Sequence, residues 1–325
     1  MSLPILGIDI AQQTFQVSLR QAGHVQRQEF RNQPDGFAGL SLWLARHGVE
    51  QVHACLEATG RYGEALAAYL YQAGHRVSVI NPSRIKAYAK SKLSRNKTDR
   101  VDADLIADFG ETQQPRAWVP QTPEVRELQA LVRHLDAVQA MRQQEANRLQ
   151  SGSPSDVVVA LVHQHLDFLD QQIDQLKQHI QNQIDQHPGL REDYDLLRSI
   201  PGIGVLTAAK LVAENLLQFA DARALAAYAG LSPMNRTSGT SVHRRPKLSK
   251  IGNAALRKSL YMPALSAQRW NPIIQQFCGR LALTGKHKMA IIGAAMHKLL
   301  TLAYGVLKSR KAFDPTYSAK PQVTS

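Results

Sequence analysis

The stretch PILGIDIAQQTFQVSLR, residues 4–20, decides the fold of the first part of the chain. Apolar side chains recur through residues 4–10 and 14–20, which predicts a hairpin of two strands, and residues 24–30 are predicted as a third strand. Asp9 interrupts the first apolar run, where a carboxylate is costly unless it is paired, hydrogen-bonded or bound to a metal. The stretch therefore predicts the start of a sheet together with one candidate site residue.

Helices and strands alternate after these three strands. FAGLSLWLARHG has helical spacing and stops at Gly48, and RYGEALAAYLYQAG is a helix that ends at Gly74. QVHACLE and RVSVINP, which follow these helices in turn, are short apolar strands. Three meandering strands followed by alternating helices and strands is the order of ribonuclease-H-like domains, although other topologies share pieces of it. The sequence predicts an α/β domain of this kind over residues 1–119.

A helical arm is predicted over residues 120–189. Apolar residues recur every three or four positions from 123 to 187, with a break at SGSPSD, which predicts two long helices with a heptad-like seam. The same spacing fits a helical hairpin within one chain and a coiled-coil dimerisation arm, so both interpretations stay open.

Residues 190–325 are predicted to be mainly helical. Pro-Gly-Ile-Gly at 201–204 lies between two apolar helices, where it forms either an ordinary turn or a helix-hairpin-helix element whose backbone N–H groups face a phosphate. A polar loop is predicted over residues 234–253, and apolar helices follow over 254–308.

The composition indicates a polyanionic partner. Lys and Arg number 39 against 26 Asp and Glu, a formal net charge of +13 that favours nucleic acid or an anionic membrane surface. No apolar run approaches the ~18 residues of a membrane span and no signal-peptide pattern is present, so we expect a cytoplasmic protein without a membrane partner. Cys55 and Cys278 form no Cys-x-x-Cys pair, which predicts two buried thiols rather than a zinc site or a disulfide.

Acidic residues cluster in NKTDRVDADLIADF, residues 96–109, directly after a basic segment. Thr98 can cap a helix that begins at Asp99, and such a helix places Asp99 and Asp102 one turn apart on one side. Favourable electrostatics at the positive end of the helix would by themselves also explain Asp99. The pattern is therefore compatible with a metal site and with a solvated helix start.

Two further acids stand on the predicted strands. Asp9 lies in the first strand and Glu57 ends VHACLE, at the strand end where ligand crevices form in α/β sheets. Together with the helix pair they could hold two Mg²⁺ or Mn²⁺ ions, which prefer oxygen ligands and can assist phosphodiester cleavage. The basic residues expected to hold a nucleic-acid backbone nearby are Arg84, Lys86, Lys90, Lys92, Arg95 and Lys97.

A serine-glycine pair offers a candidate nucleophile. TSGTS, residues 237–241, is flanked by the cations Arg236, Arg244, Arg245 and Lys247. A serine beside a glycine has an accessible hydroxyl that could attack phosphorus, and arginines could stabilise the developing charge. A polar loop that contacts DNA passively is the simpler interpretation of the same residue types.

Motifs along nearly the whole chain resemble one family. They are GIDIAQQTFQV, LEATGRYGEAL, NKTDRVDADLIA, SIPGIG, YAGLSP, SGTSV, LSKIGNAALRKSLYMPA and AYGVLK, running from residue 7 to residue 308. In this order they resemble the DEDD transposases of the insertion-sequence one-ten group, which are bridge-RNA-guided recombinases. The resemblance implies a RuvC-like N-terminal domain, a long helical coiled-coil insert and a mainly α C-terminal transposase domain.

The resemblance also implies residue roles and partners. The four catalytic acids match Asp9, Glu57, Asp99 and Asp102, and the nucleophilic serine best matches Ser238, with Ser241 in reserve. Members of the family join donor and target DNA through a Holliday-junction-like intermediate, pair a noncoding RNA with both DNAs, and assemble as dimers to tetramers with sites shared between subunits. Two other interpretations stay open: a RuvC-like Holliday-junction nuclease or DNA invertase without RNA guidance, and a basic nucleic-acid-binding scaffold without chemistry.

Overall fold

The structure, a computed structural model, describes residues 3–58, 62–92, 99–152, 155–238 and 242–316; within these, the side chains of 99–101, 235–238 and 242–247 lie outside the description. The chain divides into two compact units, residues up to 121 and residues from 122 onwards. They are called the N-terminal unit and the C-terminal unit below, and each is described by itself.

The N-terminal unit is built on a mixed five-stranded sheet. Its strands are β1 (Ile5–Ile10), β2 (Thr14–Gln21), β3 (His24–Arg31), β4 (His53–Glu57) and β5 (Arg76–Ile80). Its helices are α1 (Pro34–Arg46), α2 (Glu64–Gln72), α3 (Pro82–Ser91) and α4 (Asp99–Gln113). The spatial order is β3-β2-β1-β4-β5, antiparallel among the first three strands of the chain and parallel from β1 to β4 and β5. The predicted element order is confirmed, and this sheet is compatible with a ribonuclease-H-like domain.

Burial along the strands follows their place in the sheet. The central strands β1 and β4 are buried almost throughout, whereas nearly every side chain of the edge strand β3 is exposed. Phe15, Val17 and Leu19 alternate on β2 and pack with Leu40 and Leu44 of α1 in one core. A strand covered on both faces needs continuous apolar residues, and a strand covered on one face needs alternation.

A buried histidine holds the segment that follows α4. Nε2 of His53 lies 2.8 Å from the Ser78 hydroxyl, which donates to the carbonyl oxygen of Arg116 at 2.8 Å. The amide of Trp118 donates to the carbonyl oxygen of Val77 at 2.7 Å. Burial, with a smaller contribution from the charge of Arg76, lowers the pKa of His53 to about 4.

Acid is therefore expected to destabilise the N-terminal unit through His53. The folded pKa of about 4 lies below the ordinary value of 6.5, so the unfolded chain takes up the proton first as the pH falls. The stabilisation is complete above pH 6.5 and is lost between pH 6.5 and about 4, on the order of 3 kcal/mol. Hydrogen exchange of the β4 and β5 amides across this range measures it. His53→Gln should flatten the dependence; a slope equal to that of the wild type would contradict the assignment.

The C-terminal unit is mainly helical. Its helices are α5 (Pro123–Gln150), α6 (Asp156–Asp185), α7 (Pro188–Arg198), α8 (Val205–Ala213), α9 (Ala222–Tyr228), α10 (Ala254–Ser259), α11 (Tyr261–Trp270), α12 (Pro272–Leu283) and α13 (Lys288–Ser309), with a short 3-10 helix at Leu216–Gln218. Two strands, β6 (Pro233–Ser238) and β7 (Val242–Leu248), form an antiparallel hairpin.

The predicted helical seam packs within one chain. Helices α5 and α6 run antiparallel, with Gln183 donating to the carbonyl oxygen of Glu124 at 3.1 Å and Arg142 paired with Asp170 further along. The seam joins the core that also contains helices α7 to α13, so the arm and the helical remainder form one unit. The hairpin interpretation is thereby supported, and a role in dimerisation stays a prediction.

Two expectations about this unit are wrong. The segment 234–253, expected to be a polar loop, contains most of the β6–β7 hairpin; polar composition hid it because strand pairing satisfies the backbone whatever the side chains are. Helix α13 has 22 residues, and an 18-residue window within it has a mean hydropathy of 1.5, so by length and composition it could cross a membrane, contrary to the expectation that no apolar run is long enough. Its buried side chains lie in the core of the C-terminal unit.

The prediction that Cys55 and Cys278 are buried free thiols is confirmed.

Candidate active site

Helix α4 lies directly on strand β1. A Cβ at Gly7 would lie 2.3 Å from the carbonyl oxygen of Ala103, so only a glycine allows this approach. Further along the helix, a Cβ at Gly110 would lie 3.0 Å from Cγ2 of Ile5. The helix thus runs antiparallel to β1, and its N-terminus lies toward the end of the strand that carries Asp9.

Asp9 and Glu57 occupy the same level of the sheet. Strands β1 and β4 are parallel, with Ile8 opposite Leu56 at the end of the register. The next residues along the two strands are Asp9 and Glu57. Both carboxylates therefore stand at the carboxyl end of neighbouring parallel strands, where crevices for ligands form in such sheets.

Both acids are on the face of the sheet that α4 covers. Side chains alternate along a strand, so Asp9 shares a face with Gly7, and Glu57 shares a face with Cys55. Gly7 and Cys55 both touch α4, since a Cβ at Gly110 would lie 2.6 Å from Sγ of Cys55. The sheet therefore presents its two strand acids to the side on which the helix begins.

The start of α4 brings the other two predicted acids to this end of the sheet. Asp99 is the first residue of the helix and lies one turn before Ala103, whose carbonyl oxygen closely approaches Gly7 of β1. Asp102 lies one turn before the buried Ile106. The side chain of Asp99 and the residue Thr98, expected to cap the helix, are outside the described part of the chain. The backbone thus directs the start of α4 toward the end of the sheet that carries Asp9 and Glu57.

The remaining acids of α4 have structural partners. Oδ1 of Asp104 accepts from the hydroxyl of Ser18 at 2.6 Å, and its Oδ2 pairs with Arg27 at 2.8 Å. Burial alone would raise the pKa of Asp104, but the hydrogen bonds from Arg27 and Ser18 hold it below its ordinary value. Asp104 therefore fastens the helix to β2 and β3.

Asp108 fastens the same helix to α3. It accepts from the hydroxyl of Tyr88 at 2.6 Å and pairs with Arg20 at 3.0 Å and with Lys92 at 3.1 Å. Burial alone would raise the pKa of Asp108, but these three partners hold it below its ordinary value. Lys92, predicted to hold nucleic acid, is thus engaged with this carboxylate.

The other predicted backbone-binding cations of this region are only partly placed. Arg84, Lys86 and Lys90 are exposed on α3, and the guanidinium of Arg84 lies 5.2 Å from the ring centre of Phe109. Arg95 and Lys97 lie outside the described residues. Three exposed cations on α3 therefore remain available to an anionic partner.

Ser238, the serine of the predicted serine-glycine pair, lies in the β6–β7 hairpin. Ser238 is the last residue of β6 and pairs with Val242, and Arg236 stands opposite Arg244 in the register. Gly239, Thr240 and Ser241 are outside the described residues, as are the side chains of Ser238, Arg236, Arg244, Arg245 and Lys247. The backbone thus places Ser238 where one strand ends and the turn begins.

Comparisons with known proteins agree along the chain. A DEDD transposase model of the IS110 type matches residues 6–152, and a model described as transposase IS116/IS110/IS902 family matches residues 194–278. A pilin gene-inverting protein of Moraxella bovis is 36% identical over 320 residues, which is 97% of this chain and 98% of that protein. The chain belongs to the IS110 family of transposases. A second relative, the transposase for insertion sequence element IS1328 of Yersinia enterocolitica, is 26% identical over 77% of this chain and 82% of its own length.

The four acids of this IS110-family protein fit divalent metal ions by their chemistry. All offer carboxylate oxygens, and the glycine contact between α4 and β1 brings both pairs to one end of the sheet. Among the described side chains, no group of three or more His, Cys, Asp or Glu residues is close enough to hold a metal ion. That search does not include Asp99. Asp9, Glu57 and Asp102, which the search does include, therefore do not form a metal site by themselves.

A network that the sequence interpretation missed closes the base of the serine hairpin in this IS110-family chain. Nδ2 of Asn253 donates to Glu214 at 3.1 Å, and its backbone amide donates to the carbonyl oxygen of Tyr228 at 2.6 Å. A Cβ at Gly252 would lie 2.1 Å from that same carbonyl oxygen. Burial raises the pKa of Glu214, although Asn253 opposes the shift. An Asn directly before a helix is a capping signal that could have indicated Asn253, whereas Glu214 carries no local signal.

Proposed function

We propose that this chain, a DNA recombinase of the IS110 type, cuts and exchanges DNA strands by a metal-assisted attack of a serine hydroxyl. The observation that carries this proposal is the arrangement of Asp9 and Glu57 at neighbouring strand ends beneath the start of α4. Four acids gathered at one place would repel a phosphate backbone unless cations were bound with them. Bound metal ions would therefore offset the negative charge of the acids and allow a DNA backbone to approach them.

Asp9, Glu57, Asp99 and Asp102 are the residues proposed to hold Mg²⁺ or Mn²⁺. When bound, such ions polarise phosphate oxygens and stabilise the charge that develops on the attacking and leaving oxygens. In this proposal the contact between Gly7 and α4 holds the start of the helix at the end of the sheet that carries Asp9 and Glu57.

Ser238 is the proposed nucleophile, with Ser241 as the reserve. Its Oγ loses a proton and bonds to phosphorus, while the bond from phosphorus to one deoxyribose oxygen breaks and that oxygen leaves as a hydroxyl after taking up a proton. The phosphoserine bond retains the energy of the phosphodiester, so rejoining needs no ATP. Arg236, Arg244, Arg245 and Lys247 flank the tip and are proposed to hold the phosphate.

The proposed partners are donor and target DNA, an element-encoded bridge RNA, and further copies of this chain. The resemblance stated above implies the RNA, the Holliday-junction-like intermediate and an assembly of dimers to tetramers, with acids and serine contributed by different subunits. Support for assembly comes from α6, where Val157, Leu161 and Phe168 are exposed apolar residues near the loop end of the hairpin. We propose that the protein acts in the cytoplasm, at the bacterial nucleoid.

A DNA invertase without RNA guidance is the second candidate. The match of nearly full length to a pilin gene-inverting protein favours the inversion activity of this candidate. A RuvC-like nuclease, which uses water in place of serine, would need the four acids but not the serine hairpin. The three candidates differ in whether a covalent intermediate forms and in whether RNA is required.

A denaturing gel for a protein–DNA adduct separates these candidates. It compares wild type, Ser238→Ala and Ser241→Ala with element DNA, Mg²⁺ and the RNA that copurifies with the protein, before and after ribonuclease treatment. We expect a covalent adduct that is lost only in Ser238→Ala, because only the nucleophile bonds to phosphorus.

Each other result has a definite meaning. If the adduct is lost only in Ser241→Ala, the serine mechanism stands and Ser241 is the nucleophile in place of Ser238. An adduct that still forms when the RNA has been digested with ribonuclease before the DNA is added favours the invertase without RNA guidance. Cleavage with no adduct in any lane favours the nuclease and rejects the serine mechanism.

A further inference from the structure

The positive charge of the chain is concentrated in one segment. Of the 39 Lys and Arg, 16 lie within residues 222–313, which contain no Asp or Glu. The other 233 residues hold the remaining 23 cations together with all 26 acids. Helices α10 to α13 all lie in this segment, so the surface that these helices expose carries cations and none of their own residues is a carboxylate. Such a surface attracts a polyanion.

An aromatic ring stands exposed on this surface. Trp270, the last residue of α11, is 67% exposed, and the guanidinium of Arg269 lies 5.6 Å from the centre of its ring. The other tryptophans, Trp43 and Trp118, pack against the core of the N-terminal unit. An exposed tryptophan stacked with an arginine offers an unoccupied π-face beside a cation.

The end of α11 is rigidly held. Asn271, fully buried, accepts from the amides of Ile273 and Ile274 and donates to the carbonyl oxygen of Pro201 at 3.3 Å. A Cβ at Gly202 would lie 2.6 Å from Cβ of Ala267, so the Pro-Gly-Ile-Gly turn packs directly on the same helix. Trp270 therefore extends from a well-packed helix end, beside the turn for which the sequence left open both an ordinary turn and a phosphate contact. A fixed aromatic loses little conformational entropy on binding.

We propose that Arg269 and Trp270 form a stacking site for an unpaired base of a single-stranded nucleic acid. The occupant is inferred from the combination of a free aromatic face, an adjacent guanidinium and a surface of cations without acids of its own, which together suit base stacking and phosphate attraction. A duplex presents its bases stacked on one another and has no free face to offer Trp270. The proposal rests on the proposed function only in requiring that the chain acts on nucleic acid.

Equilibrium binding of labelled oligonucleotides tests this site. The probes are a single-stranded DNA, the RNA of the same sequence, and the corresponding DNA duplex. Trp270→Ala is expected to weaken binding of the single strands on the order of 10-fold, since base–aromatic stacking has about this effect per base. Binding of the duplex should change by less than about twofold on the same grounds. A larger loss for RNA than for DNA would identify the strand that the site serves.

Two further variants keep the test specific. Met262→Ala removes a side chain that is also 67% exposed on α11 but has no aromatic ring, and it should leave all three affinities unchanged. Trp270→Phe keeps a ring and should retain part of the single-strand affinity. An equal loss for duplex and single strands, or no loss at all, overturns the stacking site. If wild type binds none of the probes, the proposed function fails together with the stacking site. If wild type binds them but Trp270→Ala binds the single strands equally well, only the stacking site fails.

Discussion

Asp9→Asn is expected to lower the rate of DNA strand cleavage by at least about 10³-fold, because removing one group that stabilises transition-state charge costs on the order of 10²–10³ and Asp9 is also proposed to bind metal. Binding of DNA should survive, since the substitution removes negative charge near the phosphate backbone. The measurement is nicking and adduct formation on a plasmid that carries the element ends. Thermal unfolding of the same preparation verifies that the variant is folded.

Asp104→Asn provides the matched control for this prediction. It neutralises another acid presented to the same sheet, but one whose carboxylate is already paired with Arg27 and hydrogen-bonded to Ser18. It should lower stability by about 1–2 kcal/mol through the lost charge-assisted bonds and leave cleavage per folded molecule nearly unchanged. Cleavage that persists in Asp9→Asn, or that falls equally in both variants, would contradict the assignment of the acids.

Gly7→Ala is expected to destabilise the N-terminal unit by about 3 kcal/mol or more, which is the upper range for overpacking. The added Cβ would lie 2.3 Å from the carbonyl oxygen of Ala103 and 2.3 Å from the amide nitrogen of Ala107. These are backbone atoms and cannot rotate aside, so α4 must move off β1. Hydrogen exchange of the β1 and β4 amides measures the loss for this unit alone.

Gly39→Ala is the control for that substitution. Gly39 lies within α1, and a Cβ there would be 3.5 Å from the Phe30 ring, an ordinary contact. Alanine is favoured over glycine inside a helix by about 0.5–1 kcal/mol, so this variant should be neutral or slightly stabilised. If Gly7→Ala were as stable as Gly39→Ala, the close contact between α4 and β1 would be disproved.

Local patterns predicted most elements of the N-terminal unit. The strand at residues 4–10 and the helix ending near Gly48 depend on neighbouring residues, which is why periodicity and turn residues sufficed. The serine hairpin was missed because strand pairing joins Pro233 to Leu248 across a polar sequence. The network of Glu214, Tyr228 and Asn253 was missed for the same reason, since its members come from three separate segments.

The sequence by itself determined the order of the elements, the family, and the unusual position of Asp9 within an apolar strand. It selected Asp99 and Asp102 as candidate metal ligands by resemblance, but it did not show what Asp104 and Asp108 do, because their partners lie far away in the sequence. Asp104 meets the hydroxyl of Ser18, 86 residues away, and this contact exists only once β2 and α4 lie together. The tertiary structure supplies these partners through the contact at Gly7, which directs the start of α4 toward the strand end that carries Asp9 and places Asp104 and Asp108 beside their cations.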